Sequence, residues 1–340
     1  MTARVAIIGL GYFSTFHLAA WVAHRGAEVV GATDTNPERV TWAEATHGVP
    51  GTSDTATLLA RAPDIVDIVA PPPAHAALIR QALAPGRILI CQKPFCTSIT
   101  EAEAIIAAAA AADTTVIIHE NFRFQPWHRT IGTLLHRGDL GQIYQARFHF
   151  RPGDGRGPDA YLGRQPAFRT MPRLLVHETA VHFIDLFRWF FGPITHIYAD
   201  LRQLNPVLKG EDAGHLLLDH ASGTRTVFDG NRLSDHATDS PRRTMGEMWI
   251  EGEAGTLRLD GAGRIWRRDF GALEETEVPV GLPVDEAAFG GGCVAAVIDH
   301  VVRARAGGAV FENEAQDYLP VMRASAAAYR SAENGAKVAL

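Results

Sequence analysis

The first 120 residues alternate between two kinds of segment, and this alternation constrains the fold more than any other feature of the chain. Short β-branched runs at residues 5–8, 64–70 and 115–119 are typical of buried strands in a parallel sheet. The segments between such runs carry helix signals, for example Asn36-Pro37-Glu38, which combines a cap, a first-turn proline and an acid. Strands that alternate with helices form doubly wound parallel sheets. We therefore predict an α/β domain of the Rossmann type over residues 1–120.

Caps and breakers set the bounds of the individual elements in this domain. Ser53 or Asp54 is expected to cap a short helix that ends at Leu59. The run from Thr100 to Glu103 has the spacing of a capping box and is expected to open an alanine-rich helix. The other predicted elements are strands at 28–32 and 87–91, and helices at 12–24 and 74–83.

After residue 120 the pattern changes from buried runs to polar–apolar alternation. Residues 142–150 (QIYQARFHF) alternate in this way, which predicts a strand with one covered face. Together with the later runs, this predicts an α+β domain over 121–340 with a mostly antiparallel open sheet and helices on one face. The free face would be available for subunit pairing. The later predicted strands lie at 194–202, 213–219, 224–230, 247–251, 255–260 and 263–267, and the helices at 178–191, 294–305 and 315–333.

Charge and composition exclude several classes of partner. The formal net charge is −6 and no run of Lys or Arg occurs, which argues against nucleic-acid binding. No apolar stretch reaches the roughly 20 residues that span a bilayer, and the N-terminus lacks a signal-peptide pattern. The three cysteines have no CxxC spacing, so we expect a reduced, cytoplasmic protein without a metal site. Cys91 and Cys96 flank Lys93, which leaves thiol chemistry as an alternative to simple burial.

A glycine-rich turn follows the first predicted strand. The sequence Gly9-Leu10-Gly11-Tyr12-Phe13-Ser14 lets the backbone bend tightly and approach a pyrophosphate at the N-terminus of the next helix. Asp34 ends the second predicted strand, where a carboxylate accepts hydrogen bonds from the adenosine ribose. Its charge would repel a ribose 2′-phosphate, so NAD is favoured. NADP stays possible, because Thr33, Thr35 and Arg39 could bind the 2′-phosphate.

Three further motifs occur in order along the chain. They are residues 70–75 (APPPAH), Gln92-Lys93-Pro94, and residues 178–185 (ETAVHFID). With the glycine turn they resemble the Gfo/Idh/MocA family of dehydrogenases, whose hallmarks are a TPxxxH-like stretch, an EKP tripeptide and a DxGxHxxD helix. This chain departs from the family pattern at Gln92 for glutamate, Glu178 for aspartate and Ala180 for glycine.

The same motifs carry the candidate catalytic residues. Oxidation of an alcohol needs a base that takes the hydroxyl proton, and Lys93 follows a strand at the sheet edge where ligands bind. Histidine as a residue type suits proton transfer near neutral pH, and His182 lies on a strongly apolar helix, where Glu178, Asp185 and Trp189 share its face. We predict Lys93, His182 and Glu178 as catalytic. A structural role for His182, and a structural or interdomain role for Asp185, remain open.

The other candidate contacts follow from the turn, the motifs and two flanking segments. His75 is expected either to contact the cofactor or to cap the following helix. Arg169 belongs to a basic loop over 161–173, which suits substrate recognition or an arm that reaches a neighbouring subunit. The expected cofactor contacts are Gly9, Gly11, Tyr12, Phe13, Asp34, Arg39, Pro71, His75, Gln92 and Lys93, and the expected substrate contacts are Asn121, Arg123, Arg169 and Asp185.

Family members that resemble this chain are often dimers or tetramers, so the resemblance implies a homodimer or homotetramer that could pair through the free sheet face. The resemblance also implies an oxidoreductase that transfers a hydride between NAD(P) and a sugar, inositol or related polyol. Two alternatives stay open. One is an enzyme of the same fold that uses bound NAD transiently to hydrolyse or eliminate a sugar derivative. The other is an inactive regulator that senses the dinucleotide, which the changes at Gln92 and Glu178 would allow.

Overall fold

The computed structural model describes residues 2–340, which divide into two compact units. The first unit runs to Asn121 and also includes Val294–Pro320, and the second contains Phe122–Cys293 and Val321–Leu340. The sequence analysis placed residues 294–320 in the second domain, whereas the structure groups them with the first unit. Arg305 forms a 3.1 Å ion pair with Asp64, and the Asn313 side-chain amide donates to the Glu120 carbonyl at 2.8 Å. These long-range contacts tie the segment to the first unit.

The first unit contains a six-stranded parallel sheet in the order β3-β2-β1-β4-β5-β6. This order reverses between β1 and β4, as in doubly wound nucleotide-binding folds, and the predicted fold class is confirmed. The strands are β1 Ala3–Ile8, β2 Ala27–Thr33, β3 Gly51–Thr52, β4 Ile65–Ile68, β5 Ile88–Gln92 and β6 Thr115–His119, and the helices are α1 Ser14–Ala23, α2 Pro37–His47, α3 Thr55–Leu59, α4 Pro72–Ala82 and α5 Ile99–Ala111.

Two helices of this unit begin earlier than the sequence predicted. Helix α5 is capped by Ser98, whose hydroxyl accepts from the Glu101 N–H at 3.1 Å, and not by Thr100. The Glu101 carboxylate accepts in return from the N–H and hydroxyl of Thr97, at 2.8 and 2.7 Å. Helix α4 begins inside the proline run, because proline lacks only an N–H that the first turn does not use. The predicted caps Asn36 and Asp54 are confirmed.

The second unit contains a nine-stranded sheet in the order β14-β13-β12-β11-β7-β10-β9-β8-β15. All of its strand pairs are antiparallel except β7 with β10, as the mostly antiparallel prediction requires. The two short edge strands β14 and β15 were not predicted. The strands are β7 Ile143–Phe150, β8 Ile194–Arg202, β9 Ala213–His220, β10 Arg225–Asn231, β11 Gly246–Gly252, β12 Gly255–Leu259, β13 Ile265–Asp269, β14 Thr276–Val278 and β15 Val338–Ala339.

The helices of the second half of the chain differ from the prediction in two respects. Helix α6, Pro126–His136, was not predicted. The predicted helix at 178–191 begins as a π-helical turn, Leu175–Ala180, and continues as α7, Val181–Phe191. The remaining helices are α8 Cys293–Arg305 and α9 Ala315–Asn334, with short 3-10 turns at Phe122–Phe124, Pro166–Arg169 and Phe289–Gly292.

Aromatic side chains form the core between α7 and the sheet of the second unit. The Phe183 ring lies 4.0 Å from that of Phe148 on β7 and 5.2 Å from that of Phe228 on β10, centroid to centroid. All three side chains are buried, and such packing fixes the position of α7 on the sheet. Within residues 2–340, no helix combines the length and apolarity that crossing a membrane requires.

Candidate functional site

The glycine turn of the first unit requires glycine at its first position. Gly9 has a φ of +96° and a Cβ there would lie 2.7 Å from backbone atoms of Val69 and Ala70. Its N–H donates to the Thr33 carbonyl at 2.8 Å. The turn therefore packs against the ends of β2 and β4, and a side chain would push these strands apart.

The second glycine of the turn has a different surrounding. A Cβ on Gly11 would meet no protein atom within 4 Å, so packing within the protein does not require glycine there. The next helix begins immediately beyond, and Ser14 closes the turn by donating to the Gly11 carbonyl at 2.6 Å. The residues therefore fit a dinucleotide, because an uncovered backbone at a helix N-terminus can receive a phosphate.

Asp34 and Arg39 hold the turn from the side of β2 and α2. The two Asp34 carboxylate oxygens accept from the N–H groups of Leu10 and Asn36, at 2.6 and 2.8 Å. Arg39 donates to the Leu10 carbonyl at 2.5 Å and stacks its guanidinium on Trp42. A carboxylate has about four acceptor positions, so Asp34 retains capacity for ribose hydroxyls. Arg39, predicted as a cofactor contact, braces the turn.

The aromatic residues of the turn lie beside α1. The half-exposed Tyr12 ring packs edge-on against Phe16, with centroids 5.9 Å apart. Phe13 packs against the His17 ring, with centroids 5.6 Å apart. Pro71 is exposed and precedes α4.

His75 is a buried support for two strand ends. Its Nε2 lies 2.8 Å from the Ala70 carbonyl, and its Nδ1 lies 3.1 Å from the carbonyls of Pro94 and Phe95. Burial lowers the pKa of the ring, because desolvation disfavours the charged form. His75 neither caps α4 nor carries an exposed nitrogen, and it joins the end of β4 to the segment that follows β5.

Lys93 follows β5 directly, at the C-terminal edge of the parallel sheet. Its side chain is half-buried. Gln92 is buried, with its side-chain nitrogen 2.8 Å from His17 Nε2 and 3.1 Å from His119 Nδ1. Ligands bind at this edge of open α/β sheets, so Lys93 lies at the edge where a ligand would bind.

The cysteines lie in positions that disfavour thiol chemistry. All three are free and buried. Burial raises the pKa of Cys96 to about 12 and that of Cys91 well above its ordinary value. A neutral thiol is a weak nucleophile, so the thiol alternative at Cys91 and Cys96 loses its support.

His182 lies on the first turn of α7 in the second unit. Its ring stacks on Phe122, with centroids 4.0 Å apart and planes inclined by 3°. Only 6% of the residue is exposed. Stacking of this kind fixes the orientation of the imidazole.

Glu178 belongs to a buried polar cluster that the sequence did not reveal. Its carboxylate accepts from the Arg232 guanidinium at 3.0 Å and from the Thr179 hydroxyl at 2.5 Å. Arg232 also donates to Thr179, to Asp154 at 3.1 Å and to the Tyr161 hydroxyl at 3.2 Å. Burial opposes the charge on Arg232, but the adjacent acids raise its pKa overall. The sequence carries no local signal for this cluster, because Arg232 follows an ordinary strand.

The π-helical turn that carries Glu178 is anchored at its other end by Tyr329 of α9. The Tyr329 hydroxyl donates to Glu211 at 2.6 Å and accepts from the His177 N–H at 3.1 Å. Glu211 also accepts from the Val176 N–H at 3.1 Å. These contacts satisfy N–H groups at the start of the turn, which otherwise lack partners. Single π turns are frequent at functional sites.

Arg123 and Asp185, both predicted as substrate contacts, are paired with each other. Arg123 donates from Nε and Nη2 to the two carboxylate oxygens of Asp185, the first bond at 2.8 Å. The Asp185 side chain is almost fully buried. In a bidentate pair of this kind, two parallel hydrogen bonds join the edges of the planar guanidinium and carboxylate groups. Both carboxylate oxygens of Asp185 are then engaged by Arg123, which favours the structural role left open for Asp185.

The last two predicted substrate contacts lie apart in the chain. Asn121 is buried and ends the first unit. Arg169 lies on the 3-10 turn at Pro166–Arg169 and donates to the Pro158 carbonyl at 2.9 Å. Its guanidinium therefore braces the loop at 161–173. In residues 2–340, no group of three or more His, Cys, Asp or Glu side chains is arranged to hold a metal ion.

Fold and turn together define an oxidoreductase with an NAD-binding Rossmann domain. Residues 3–120 match the oxidoreductase family that is described by this NAD-binding Rossmann fold, and residues 128–258 match the Gfo/Idh/MocA C-terminal domain. The chain belongs to the Gfo/Idh/MocA family, as its motifs indicated.

Relatives of known name support this assignment. A D-apiose dehydrogenase of Paraburkholderia graminis is 35% identical over 262 residues, which cover 76% of this chain and 68% of the relative. A D-apiose dehydrogenase of Rhizobium rhizogenes is 31% identical, with 76% and 74% covered. An oxidoreductase of Agrobacterium radiobacter, solved with NAD+, L-tartaric acid and magnesium, superposes with a TM-score of 0.90 at 28% identity, with 100% and 98% covered. Residues 3–120 of this chain therefore form an NAD-binding domain.

Proposed function

We propose that the protein is an NAD-dependent dehydrogenase that oxidises a CH–OH group of a sugar or a related polyol, or reduces the corresponding carbonyl. The observation that carries this proposal is the position of Lys93, at the C-terminal edge of the same sheet whose glycine turn fits the dinucleotide. The similarity to two D-apiose dehydrogenases supports a sugar as the substrate.

The first unit would bind the cofactor. The backbone at Gly9 and Gly11 would hold the pyrophosphate, and Asp34 would accept from the adenosine ribose. Tyr12 and Phe13 would flank the bound dinucleotide. Bound NAD supplies the hydride acceptor, or as NADH the donor.

Lys93 would exchange a proton with the substrate oxygen. A hydroxyl that loses its hydride must also lose its proton, and a carbonyl that gains a hydride must receive one. An amine at the ligand-binding edge of the sheet is suited to both directions. Gln92, Pro71 and His75 would position this edge rather than react, since the ring nitrogens of His75 face backbone carbonyls.

In the second unit, His182 and Glu178 would act on the substrate. The imidazole can both donate and accept a proton near neutral pH, and its stacking on Phe122 holds it in one orientation. Arg232 lies 3.0 Å from the Glu178 carboxylate and fixes its position, which suits a hydrogen bond from a sugar hydroxyl. Asn121 remains a candidate substrate contact, whereas Arg123, Asp185 and Arg169 would stabilise the surrounding segments.

The experiment is a substrate screen on the purified protein. Any bound nucleotide is first released and identified, and aldoses, polyols and sugar acids are then tested with NAD and with NADP. We expect NADH formation with at least one sugar and a preference for NAD of about tenfold or more, because Asp34 repels a 2′-phosphate. Turnover without net NADH would favour transient oxidation during hydrolysis or elimination. Nucleotide binding without any turnover would favour a regulator and overturn the proposal.

We further propose a cytoplasmic homodimer or homotetramer that pairs through the outer face of the second unit's sheet. This face holds a cavity of about 280 Å³. Its side chains include positive and negative charges and an aromatic ring, which allows the same patch on two subunits to pair.

The oligomeric state is measured by light scattering. The wild type should have the mass of two or four chains, and Trp249→Arg should lower that mass. A monomeric wild type would contradict the proposal. The cavity is lined by Gln145, Ala146, Arg147, His149, His215, Val227, Asp229, Trp249 and Glu251.

A further inference from the structure

Four polar side chains form a buried chain of hydrogen bonds beneath Lys93. Asp67 Oδ2 lies 2.7 Å from His17 Nδ1. The Gln92 side-chain nitrogen lies 2.8 Å from His17 Nε2 and 3.1 Å from His119 Nδ1. Trp21 donates from its ring nitrogen to the same Asp67 oxygen at 2.7 Å. None of these five residues is more than 7% exposed. Water therefore does not reach their polar atoms, which form hydrogen bonds with one another instead.

The register of the parallel strands explains why these residues meet. Gln92 on β5 pairs with His119 on β6, and Asp67 on β4 pairs with Ile90. Side chains of paired residues lie on one face of a sheet, and residues two apart share that face. The three strands therefore present Asp67, Gln92 and His119 together, and α1 covers them with His17.

The backbone of Lys93 fixes the orientation of the Gln92 amide. The Lys93 N–H faces one side-chain atom of Gln92 at 3.3 Å. An N–H only donates, so this atom must be the amide oxygen. The other atom, the NH2 group, then faces the two histidine rings. In the reverse orientation, the NH2 group of Gln92 would face the Lys93 N–H, and neither group can accept a hydrogen bond.

This orientation determines where the histidine protons lie. The NH2 group of Gln92 only donates, so His17 Nε2 and His119 Nδ1 must both accept and carry no proton. The proton of neutral His17 is then on Nδ1, where it donates to Asp67. The proton of His119 is on Nε2. Protonation of either acceptor nitrogen would set two donors against each other at about 3 Å.

We propose that Gln92 is a positioning residue that keeps His17 and His119 neutral, each in one tautomer, and holds the Lys93 backbone through its amide oxygen. The consequence for catalysis rests on the proposed function. Lys93 is to take up a proton as the substrate hydroxyl is oxidised, and an imidazolium in the network to which its backbone N–H is bound would oppose that second positive charge. A glutamate at this position could only accept, and it would draw protons onto both facing nitrogens.

The first test needs neither a variant of Gln92 nor a substrate. The full-length protein is labelled with 15N histidine, and ring signals are assigned by their loss in His17→Gln and His119→Gln. At about pH 7.5, we expect His17 with a protonated Nδ1 and a bare Nε2, and His119 with the opposite tautomer. An imidazolium at His17, or a proton on its Nε2, would overturn the proposal.

The second test replaces the amide with its isosteric acid. In Gln92→Glu, the His17 ring should become doubly protonated at neutral pH, NADH affinity should stay within about threefold, and kcat/KM should fall roughly tenfold or more. Gln125→Glu adds the same charge at a buried site of the second unit and should leave the His17 signals unchanged. A neutral His17 in Gln92→Glu would contradict the proposal. If the wild-type tautomers are as expected but no sugar is oxidised, the proposed function fails and the proton assignment stands.

Discussion

At the residue scale, the two glycines of the nucleotide turn meet different requirements. Gly9 is surrounded by the backbone of Val69 and Ala70 and has a positive φ, whereas the space beside Gly11 holds no protein atom within 4 Å. The first glycine is therefore needed by the fold. The second is explained only by the approach of a ligand.

This difference predicts opposite outcomes for two matched substitutions. Gly11→Ala should leave the Tm without nucleotide within about 2 °C of the wild type and weaken NADH binding about tenfold or more. Gly9→Ala should destabilise the fold itself by roughly 1–3 kcal/mol. Thermal unfolding with and without NADH measures both. Unchanged NADH affinity in a folded Gly11→Ala protein would contradict the assignment of the turn.

The turn was predictable from sequence because its signals are local, but its supports were not. Strand, glycines, helix and Asp34 follow one another within about 30 residues, which is the spacing that a βαβ unit requires. Arg232 binds Glu178, although the two residues lie 54 positions apart in the sequence. No periodicity or cap marks such a contact, so Arg232 could not be singled out from the sequence.

At the element scale, the π-helical turn at Leu175–Ala180 is held by partners at both ends. Glu211 and Tyr329 bind the N–H groups of Val176 and His177, and Arg232 binds Glu178. The turn precedes α7 directly, so its anchors fix the orientation with which Glu178 and His182 are presented.

Tyr329→Phe should loosen this turn without leaving a cavity. It removes one hydroxyl that serves both the His177 N–H and Glu211, at an expected cost of about 1–3 kcal/mol in the free energy of unfolding. We expect kcat to fall while NADH affinity is unchanged, because the nucleotide turn lies in the other unit. Tyr144→Phe, at an exposed position of β7, is the control. Wild-type kcat in Tyr329→Phe would show that the anchor does not matter for catalysis.

Element bounds were least predictable where two local patterns compete. Ser98 and Thr100 both stand three residues before a glutamate, and only the additional bonds of Glu101 to Thr97 select the first. Conversely, the cluster of Asp67, Gln92 and His119 follows from strand register: Gln92 pairs with His119, and Asp67 pairs with Ile90, which lies two residues before Gln92 on the same face. A register argument from sequence would have found it.

At the scale of the whole molecule, buried histidines make stability depend on pH. His128 of α6 is fully buried and donates from Nδ1 to the Phe122 carbonyl at 2.9 Å. Burial lowers its pKa to about 4. Burial also lowers the pKa of His75 and of His220. All three rings therefore stay neutral in the folded protein under conditions in which they are protonated in the unfolded chain.

The sign of the effect follows from these protonation states. In the unfolded chain, His128 is protonated below about pH 6.5. In the folded protein it stays neutral down to about pH 4. The unfolded state therefore binds more protons between these values, and the free energy of unfolding falls as the pH falls through this window. His128→Gln should reduce the loss between pH 8 and pH 5 by about 2 kcal/mol, measured by urea unfolding at both values. His196→Gln, at an exposed position, should leave the loss unchanged. An equal pH dependence in His128→Gln would contradict the account.

The division of the chain was the least local property of the fold. The parallel sheet and the open antiparallel sheet could be predicted because strand periodicity differs between buried and half-covered sheets. The position of Val294–Pro320 could not, because it depends on single contacts such as Arg305 with Asp64 that no sequence window contains.

The role of Lys93 is tested most directly by the rate of NADH formation in wild-type protein and in Lys93→Met, each with the best sugar from the screen. We expect kcat/KM to fall by about 10²–10⁴ in Lys93→Met, the contribution of a positioned acid–base group, with an unchanged Tm. Lys209→Met, at an exposed lysine, should keep the wild-type rate. Sugar oxidation at the wild-type rate in folded Lys93→Met would contradict the role of Lys93 as the group that exchanges the substrate proton.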